Sequence, residues 1–492
     1  MYPSLPQVYT VKIRSDVAFL CQLFGHLTAL FYLCNCLSGL AVRSIVYIST
    51  PFPMNPQSPH IVIVGAGAAG CFAAVEVKRL LPQARVTVCE SKGRALAKVA
   101  VTGGGRCNLT NSFADVRSVE TVYPRGARLM KRLFKQFNHK DVYAWFEKQG
   151  IPLVTQPDRC VFPRSQKAMD IVNKLLYLMK GSGVRLLLQH KVESIVPLGL
   201  STTESPVENS PVAVENSELE VRRPRYRITF FKRPEALDAD YVIVTTGGSP
   251  RLNGLDMLQP LGLELVQPVP SLFGLSLPGH PLTQMTGTVV EDAVVGLVKT
   301  KIKTRGPLLI THRGLSGPAI LKLSAHGARV LAEQNYQADI VINWLGEATE
   351  QDALDYLNEM TVENPQKQLQ NIYPEQLNSR LWHYLLTAAG VRPETRWAEL
   401  GRKGYNRLAV HLTAHPLHVE GRDAFKEEFV TCGGVALANV DSNTLECRRH
   451  PGLYFAGEVL DVDAVTGGFN LQAAWTMGYV TAESIGRQEL GG

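Results

Sequence analysis

The first clear element along the chain is a short run of apolar residues that predicts a buried parallel strand. Ile61–Val64 is apolar throughout and is closed by a glycine, as in strands that are covered on both faces. Ala68–Leu81 has helical character and ends before Pro82, and Arg85–Glu90 alternates β-branched residues as a second strand does. Strand, helix and strand in this order predict a βαβ unit.

The segments that follow continue a mixed α/β pattern. Four stretches have strand-like patterns: Val184–Gln189, Val192–Val196, Tyr226–Phe231 and Asp240–Thr246. Val99–Asn111 is rich in glycine and is predicted to be a loop, whereas Arg125–Gly150 has a helical pattern. Ser201–Pro224 is rich in serine, glutamate, proline and asparagine, and this composition predicts a loosely structured hairpin insertion.

The pattern changes after Pro250, where prolines cluster and the apolar stretches become short and β-rich. Pieces such as Thr286–Lys303 predict a small antiparallel sheet or barrel. Thr349–Ala398 is helical and polar on one face, and Arg407–Phe429 returns to a strand-like pattern. From Thr431 onward the chain is again rich in glycine, so we expect one domain to be interrupted by an insertion of domain size.

Composition places the chain among ordinary globular proteins. Of its 492 residues, 45% are hydrophobic and 19% are charged, which permits a large buried core and argues against global disorder. The net charge of +7 is small for this length and gives no reason by itself to expect nucleic-acid binding. The nine cysteines include no CxxC pair, a usage typical of a reduced, cytoplasmic protein.

The N-terminal segment is the exception to this picture. Val17–Val42 is largely apolar and is longer than the ~20 residues that a membrane-spanning helix needs, although it contains His26 and Asn35. Met54 lies shortly before the first strand, where proteins with this kind of βαβ unit commonly begin. Three interpretations stay open: translation starts at Met54, the segment is a single-pass membrane anchor, or it is an amphipathic accessory helix.

Gly65, Gly67 and Gly70 form a GxGxxG motif between the first strand and the first helix. In such motifs the first glycine permits the tight turn, the second lets the backbone approach a diphosphate, and the third lets the helix pack on the strand. The helix N-terminus adds free N–H groups and a positive dipole. Glu90, at the end of the second strand, can accept hydrogen bonds from a ribose diol. The sequence therefore predicts a dinucleotide-binding site.

Later segments favour FAD over NAD as the dinucleotide. Asp240–Gly248 has the form of a late strand whose terminal glycines pass close to the cofactor, and Gly452–Glu458 is a strand that ends in a glycine and an acid. Such an acid commonly binds the ribityl chain in two-segment flavin folds. Gly467–Asn470 then precedes a predicted helix, Leu471–Ala482, whose N-terminus can stabilise negative charge on a reduced flavin. We therefore predict a noncovalently bound FAD.

Four stretches are specific enough to compare with a known family. They are GAGAAG at Gly65–Gly70, GGGRCNLTN at Gly103–Asn111, THRGLSGPAIL at Thr311–Leu321, and GEVLDVDAVTGGFNLQAAWTMG at Gly457–Gly478. Together they resemble the BaiN/RdsA-type FAD-dependent oxidoreductases, bacterial flavoproteins often described as aminoacetone oxidase-like. The resemblance runs from Ile61 to the end of the chain, with nothing before Met54 and with Ser201–Pro224 as an insertion.

The resemblance implies an α/β fold: a Rossmann-like two-segment FAD-binding domain, an inserted β-barrel-like domain and a small helical domain. The expected ranges are 1–58 for an N-terminal extension, 59–250 and 430–492 for the FAD-binding domain, 251–348 and 400–429 for the inserted domain, and 349–399 for the helical domain. This division agrees with the changes of pattern after Pro250 and at Thr431.

The resemblance also implies which residues contact FAD. Most lie in the glycine motif, the GGGRCN loop and the C-terminal loop and helix, and Val192 is expected to give adenine a backbone contact. With Arg94, Gly247, Asp461 and Gly468, which are predicted beside them, the full set is Gly65, Gly67, Ala68, Ala69, Gly70, Glu90, Arg94, Gly103, Gly104, Gly105, Arg106, Cys107, Asn108, Val192, Gly247, Gly457, Glu458, Asp461, Gly468, Asn470 and Leu471. Cys107 is interpreted as a small residue packed near the cofactor, with a reactive thiol beside Arg106 as the alternative.

The expected function is reduction of an unsaturated or carbonyl-bearing small molecule, with NAD(P)H as the hydride donor to flavin N5. The chain has no second GxGxxG motif, so a nicotinamide would bind transiently near the flavin. Two alternatives stay open: an amine oxidase that uses dioxygen, and a flavin-dependent RNA-modifying or nucleic-acid-binding protein. The sequence identifies no catalytic acid or base and leaves the oligomeric state open. Membrane contact is expected only if residues 17–42 are translated and form a helix.

Two clusters of potential ligands raise the question of a metal site. The two carboxylates of Asp461–Asp463 are expected to cap loops around the flavin rather than to bind metal. The three histidines of His411–His418 have suggestive spacing, yet Pro416 breaks any helix that would align them. We therefore expect no metal in the protein.

Two other segments each allow a structural and a functional interpretation. In the loop Thr311–Pro318, His312, Arg313 and Ser316 could face the flavin and contact substrate, and the alternative is a turn in which Ser316 caps the following helix. Arg125–Lys140 carries seven basic side chains if its histidine is charged. A solvated helix face is favoured there over a surface that binds RNA or a membrane.

Overall fold

The computed structural model describes residues 58–198, 225–249, 251–423 and 430–491. The segment Val17–Val42, the start at Met54 and the insertion Ser201–Pro224 lie outside these residues, so the interpretations of them stay predictions. Within the described ranges, no helix combines the length and the apolar character that crossing a membrane requires.

The described residues contain both strands and helices throughout. The strands are β1 (His60–Val64), β2 (Arg85–Cys89), β3 (Thr110–Asn111), β4 (Leu153–Thr155), β5 (Cys160–Pro163), β6 (Arg185–Leu187), β7 (Val192–Pro197), β8 (Tyr226–Phe230), β9 (Ala236–Ala239), β10 (Tyr241–Val244), β11 (Leu265–Ser271), β12 (Leu275–Ser276), β13 (Val289–Leu297), β14 (Lys303–Thr311), β15 (Gly314–Ser316), β16 (Ala338–Asn343), β17 (His415–Val419), β18 (Gly421–Arg422), β19 (Val430–Val435) and β20 (Leu453–Phe455). The helices are α1 (Ala68–Leu80), α2 (Ala97–Gly105), α3 (Ala127–Leu133), α4 (His139–Lys148), α5 (Ala168–Gly181), α6 (Pro318–His326), α7 (Ala328–Glu333), α8 (Glu350–Glu363), α9 (Ser379–Ala388), α10 (Gly401–Thr413) and α11 (Phe469–Leu490).

A five-stranded parallel sheet positions the candidate site. The order of its strands is β20, β10, β1, β2 and β6, and the strands predicted for β1, β2, β6 and β10 are confirmed to within a few residues. Ile61, Val62 and Ile63 of β1 have no exposed surface, as expected for a central strand that is covered on both faces. The register places the carboxyl ends of β1, β10 and β20 side by side.

The C-terminal helix α11 packs directly on α1, the helix that follows the glycine motif. A Cβ atom on Gly478 would lie 2.8 Å from the carbonyl oxygen of Ala69, so a larger residue would force the two helices apart. The indole N–H of Trp475 donates to the carbonyl oxygen of Leu109 (3.0 Å). Helix α11 thereby connects the end of the chain to the segment that follows the GGGRCN loop, and the predicted helix Leu471–Ala482 is confirmed as part of it.

Two predicted elements in the first half differ from the structure. Val99–Asn111, predicted as a loop, begins inside α2, whose backbone angles become non-helical at Thr102–Gly104. Arg125–Gly150, predicted as one helical stretch, contains α3 and α4. The second of these helices has its own capping box at Asn138, and a residue that caps a new helix interrupts the run.

The prediction of a strand-like segment at Arg407–Phe429 is wrong for its first part. Helix α10 continues to Thr413, because Leu408, Ala409 and Leu412 share one buried helix face. Strand β17 begins only after this helix ends.

A second sheet of seven antiparallel strands carries a second hydrophobic core. Its order is β17, β16, β13, β14, β15, β12 and β18. The edge strands β17 and β18 are consecutive in the chain, separated only by Glu420. The expected barrel is not confirmed, since no closed barrel is seen in the part of the chain that the structure describes. Leu357, Trp382 and Trp397, from the segment predicted as a helical domain, belong to this core, and the predicted domain boundaries stay predictions.

A largely buried ion pair connects the C-terminal loop to strand β11 and to helix α6. The guanidinium of Arg125 makes two contacts with the carboxylate of Asp463, whose side chain has no exposed surface. The same guanidinium donates to the carbonyl oxygen of Ala325 in α6 (2.7 Å), and Ser271 donates to Asp463 (2.8 Å). Burial raises the pKa of Asp463, and the neighbouring guanidinium opposes this shift. Arg125 therefore does not belong to the solvated basic face on which it was expected.

The variant Asp463→Asn should destabilise the fold strongly, because it leaves the guanidinium of Arg125 buried without an anionic partner. We expect a loss of about 3–5 kcal/mol in the free energy of unfolding, measured by urea denaturation at neutral pH. The matched control Asp115→Asn removes an exposed ion pair with Arg159 and should cost no more than about 1 kcal/mol. Equal losses in the two variants would contradict the role assigned to the buried pair.

Candidate cofactor site

The glycine motif forms the tight turn between β1 and α1 that its spacing predicts. A Cβ atom on Gly65 would lie 2.5 Å from the carbonyl oxygen of Thr245, and one on Gly70 would lie 2.0 Å from that of Gly65. At Gly67 the only atom within 4 Å of an added Cβ is the Thr245 carbonyl oxygen, at 4.0 Å. The first and third glycines are therefore required for packing, whereas the second leaves room for a ligand.

Helix α1 presents its N-terminus to this open space. Its N-cap is Gly67, no side chain caps it, and its first turn contains no acidic residue. The N–H groups of Ala68 and Ala69 in this turn are the kind of donor that binds phosphate at helix N-termini. The geometry of the turn thus suits a diphosphate.

Glu90 lies at the end of β2, beside the same turn. Its carboxylate accepts hydrogen bonds from the N–H groups of Ala66 and Lys92, both at 2.9 Å. The N–H of His190 donates to the carbonyl oxygen of Glu90 (2.8 Å), which brings the start of β7, with the buried Val192, to this end of the sheet. This is the arrangement expected on the ribose and adenine side of a dinucleotide site, and the contacts themselves stay predictions.

The carboxyl ends of β10 and β20 bring Gly247 and Glu458 together. A Cβ atom on Gly247 would lie 4.0 Å from Oε2 of Glu458, and one on Gly457 would lie 3.2 Å from the Cβ atom of Ala69. The other carboxylate oxygen of Glu458 accepts a hydrogen bond from the N–H of Thr431 (2.6 Å). The acid therefore lies next to the first turn of α1, although it comes from the C-terminal segment of the chain.

The GGGRCN loop (Gly103–Asn108) begins with exposed backbone. Cβ atoms on Gly104 or Gly105 would meet no atom within 4 Å, so a ligand can pack against the backbone of these two glycines. Arg106 donates to the carbonyl oxygen of Gly103 (3.0 Å) and lies over the ring of Phe162, with its guanidinium carbon 4.5 Å from the ring centroid. These contacts hold the arginine against the loop.

The next two residues anchor this loop in the core. Cys107 is fully buried, and burial raises the pKa of its thiol to about 12, which favours the packing interpretation over a reactive thiol. With its amide oriented to satisfy both neighbours, Asn108 donates to the carbonyl oxygen of Thr110 (3.1 Å) and accepts from the N–H of Gly468 (3.2 Å). Asn108 therefore connects the loop to the start of α11.

The N-terminus of α11 resembles that of α1. Its N-cap is Gly468, without a capping side chain and without an acidic residue in the first turn. The amide of Asn470 donates to and accepts from the backbone of Ala464, both at 2.9 Å, so this side chain holds the preceding loop. Tyr123 donates to the carbonyl oxygen of Phe469 (2.7 Å). The contacts predicted for Asn470 and Leu471 with the cofactor stay predictions.

Arg94 and Asp461, both in the predicted set, have protein partners. Arg94 lies 3.3 Å from the sulfur of Met169, and Asp461 lies 3.7 Å from the guanidinium of Arg329. Asp461 and Asp463 thus each face an arginine, an arrangement that does not favour a metal ion between them. Within the described ranges, no cluster of three histidine, cysteine or acidic residues has the geometry to hold a metal ion.

Reasoning from the sequence missed Lys98 and Thr431 at this site. The ammonium nitrogen of Lys98 lies 3.8 Å from a carboxylate oxygen of Glu458, and Thr431 donates its N–H to the other oxygen. Neither residue belongs to a recognisable local motif. Their proximity depends on the order of strands in the sheet, which the local pattern does not specify.

The histidines between His411 and His418 do not converge on one point. His415 contacts His411 and Tyr384, both at 2.9 Å between ring nitrogen and partner atom, and burial lowers its pKa to about 3. His418 instead contacts Asp339 on the surface (2.7 Å). The pair His411–His415 lies with the second core and apart from the glycine motif.

The predicted role of Ser316 as a helix cap is wrong. Ser316 belongs to β15 and pairs with Leu309, and α6 begins at Pro318 with Gly317 as its N-cap. Glycine takes this position because its backbone angle φ of +89° disfavours larger residues. The Arg313 side chain contacts Asp423 (3.0 Å), and a contact of this loop with substrate stays a prediction.

A cavity of about 600 Å³ lies elsewhere, between the turn that follows α4, the end of β5 and α5. Ile151, Pro163, Arg164, Lys174 and Tyr177 are among its lining residues. None of the lining residues belongs to the predicted cofactor set, so this cavity is separate from the candidate site.

The residues described above fit a dinucleotide such as FAD. Backbone donors are available from both parts of the chain. They lie beside the open space at Gly67, along the exposed backbone of Gly104 and Gly105, and at the uncapped N-termini of α1 and α11. Such donors suit a long, anionic cofactor better than a small substrate.

The variant Gly67→Val should fold but should lack flavin colour. The added side chain enters the space that an approaching diphosphate needs, and it meets little protein there. The measurement is the ratio of flavin to protein absorbance, together with the melting temperature Tm. Retained flavin in a folded Gly67→Val protein would show that this turn does not approach the cofactor.

Comparison with known proteins identifies relatives over most of the chain. The chain is 26% identical over 436 residues to a 3-dehydro-bile acid delta(4,6)-reductase of Clostridium scindens, covering 86% of this chain and 98% of the relative. It is 27% identical over 438 residues to a ribosomal RNA dihydrouridine synthase of Escherichia coli, covering 86% of this chain and 97% of the relative.

Solved structures are similar at a lower level. A 3-ketosteroid delta1-dehydrogenase from Sterolibacterium denitrificans has a TM-score of 0.44 and 12% identity, covering 88% of this chain and 100% of that one. A quinol fumarate reductase of E. coli has a TM-score of 0.43 and 16% identity, covering 88% and 71%. We draw no functional conclusion from scores this low.

The family comparison agrees with the glycine motif and with the resemblance found in the sequence. Residues 59–484 match the family described as HI0933-like protein Rossmann domain. The chain therefore belongs to the HI0933-like family of Rossmann-type, FAD-binding oxidoreductases.

Proposed function

We propose that the protein reduces carbon–carbon double bonds conjugated to a carbonyl group, with FAD as cofactor and a reduced pyridine nucleotide as donor. The observation that carries this proposal is that two relatives, each matched over 86% of the chain, are named for one type of bond change. A delta(4,6)-reductase of 3-dehydro-bile acids acts on double bonds near an oxo group, and dihydrouridine is uridine saturated beside a ring carbonyl. Both reactions add hydrogen across an electron-poor double bond.

The protein's part in such a reaction is to hold the cofactor and to shape the electrostatic field around it. FAD, when bound, supplies the hydride chemistry. We expect the turn at Gly67 and the first turn of α1 to hold the diphosphate and Glu458 to bind the ribityl chain. The uncapped N-terminus of α11 supports the proposal, since a positive helix end stabilises negative charge that develops on a neighbouring ring.

The surroundings of this helix end are rigid. Asn470 binds both backbone groups of Ala464, Tyr123 binds the backbone of Phe469, and Asn108 binds the N–H of Gly468. Donors that are held in place before the reaction need no reorganisation when charge develops, and this is the main way in which fixed dipoles lower a reaction barrier. The rigid helix end therefore favours a redox site over a loosely bound storage site for flavin.

An anaerobic absorbance titration of the protein comprising residues 54–492 tests the proposal. Addition of NADH or NADPH should bleach the flavin absorbance. A conjugated enone should then restore the oxidised spectrum, because its double bond accepts the hydride. The saturated ketone with the same carbon skeleton is the matched control and should leave the flavin reduced.

Two other results of this titration would contradict the proposed enone reduction. Reoxidation by the saturated ketone at the same rate would indicate carbonyl reduction. Bleaching by a small amine but by neither nucleotide, followed by rapid reoxidation in air, would indicate the amine oxidase alternative.

A uridine in RNA is a second candidate substrate, and the ribosomal RNA dihydrouridine synthase among the relatives is the observation that favours it. The basic stretch Arg125–Lys140 offers fewer free cations for RNA binding than its sequence indicates. The Arg125 side chain is only 15% exposed and pairs with Asp463. His139 stacks on Phe113, and its pKa is lowered chiefly by burial. Arg132 donates to the hydroxyl oxygen of Ser442 (2.7 Å). The other four cations of this stretch are exposed: Arg128, Lys131, Lys135 and Lys140.

Charge reversal of Arg128, Lys131 and Lys135 to glutamate tests the RNA candidate. If these residues contact phosphates, the triple variant should lose RNA affinity. The slope of the logarithm of the binding constant against the logarithm of the salt concentration should become shallower by about 0.7–0.9 for each lost contact. Reversal of the exposed Lys299, Lys301 and Lys303 in the β13–β14 hairpin changes the net charge equally. RNA binding that is equally affected by both triple variants, or by neither, would argue against a specific RNA-binding surface formed by α3 and the residues just after it.

A further inference from the structure

We propose that Lys98 binds the cofactor, with its ammonium group paired to the diphosphate of FAD. Lys98 is the second residue of α2. Leu96, the residue that caps this helix, donates its N–H to the carbonyl oxygen of Ala66 (2.7 Å). Because Ala66 lies between the first two glycines of the motif, this hydrogen bond ties the start of α2 to the turn that is expected to bind the diphosphate.

In the structure Lys98 faces Glu458 beside this turn. Its nitrogen lies 3.8 Å from Oε2 of the carboxylate, which is longer than the roughly 2.7–2.9 Å of a charge-assisted hydrogen bond. The side chain of Lys98 is 61% exposed, and that of Glu458 is 21% exposed. The ammonium group is therefore attracted to Glu458 without being fixed by it, and it can turn toward a second anion.

Glu458 is held more firmly than the lysine. Its Oε1 accepts a hydrogen bond from the N–H of Thr431 (2.6 Å), and a Cβ atom on Gly248 would lie 2.5 Å from the same oxygen. The preceding residue, Gly457, packs against Ala69 in the first turn of α1. Since the carboxylate has a fixed position beside α1, the lysine that faces it also lies near the expected diphosphate.

The charge balance of the site leads to the same assignment. A diphosphate would enter a turn that is flanked by the carboxylates of Glu90 and Glu458. A helix N-terminus offers only about half a positive charge against this, and the first turn of α1 contributes no basic side chain. Arg94 and Arg106 contact other protein groups. The ammonium group on α2 supplies a countercharge that backbone donors alone do not provide.

Two variants of the full-length holoenzyme, Lys98→Gln and Lys98→Arg, test this assignment. FAD affinity is measured from the rise in flavin fluorescence on dilution, at NaCl concentrations from about 0.05 to about 0.5 M. Lys98→Gln should weaken FAD binding about tenfold at low salt and much less at high salt, because the lost attraction is between charges. Lys98→Arg should retain most of the affinity. The control Lys299→Gln removes an exposed lysine in the β13–β14 hairpin, outside the predicted cofactor set, and should bind FAD like the unaltered protein.

Three results would overturn the assignment. Unchanged FAD affinity of Lys98→Gln at low salt would exclude Lys98 from the site. A loss of the same size at every salt concentration, with a lowered Tm, would indicate a structural role. A shifted flavin reduction potential with unchanged affinity would indicate a position beside the ring system. Because these readouts do not require turnover, they are independent of whether the proposed reductase activity is correct.

Discussion

The buried pair of Arg125 and Asp463 is the interaction that fixes the C-terminal loop before α11 against helix α6, which contributes Ile320 and Leu323 to the second core. It contacts the C-terminal loop, strand β11 through Ser271 and helix α6 through Ala325. A buried ion pair adds little net stability, but it enforces geometry, since neither charge can be buried without the other. The loop that leads into α11 is therefore positioned from outside the parallel sheet, and a change in the packing of α6 would be transmitted to the candidate cofactor site.

The site itself depends on the backbone more than on charged side chains. Glycines at positions 65 and 70 let strand and helix approach, and those at 67, 104 and 105 leave open space beside N–H groups. The acids Glu90 and Glu458 hold backbone groups of neighbouring segments. Such a site is largely preformed, because hydrogen bonds within the parallel sheet and its connecting turns fix the donors before a ligand arrives.

The glycine motif, the parallel strands and α11 could be predicted from the sequence because their signals are local. The role of Arg125 could not be predicted, since its partner lies 338 residues away, and the pairing of Lys98 with Glu458 depends on strand order in the same way. At α10 the local signal was ambiguous. Leu408, Val410 and Leu412 alternate as in a strand, and only the exposure of Val410 in the structure reveals the helix.

The seven-stranded sheet has a consequence for the order of folding. Both of its edge strands, β17 and β18, come from one short segment that follows β16 only after the helices α8 to α10. During synthesis the strands from β12 to β16 therefore emerge with both sheet edges unpaired, and unpaired edges can join other chains. The sheet can be completed only after residues 415–422 have left the ribosome, and until then the strands β12 and β16 lack partners that they have in the folded protein.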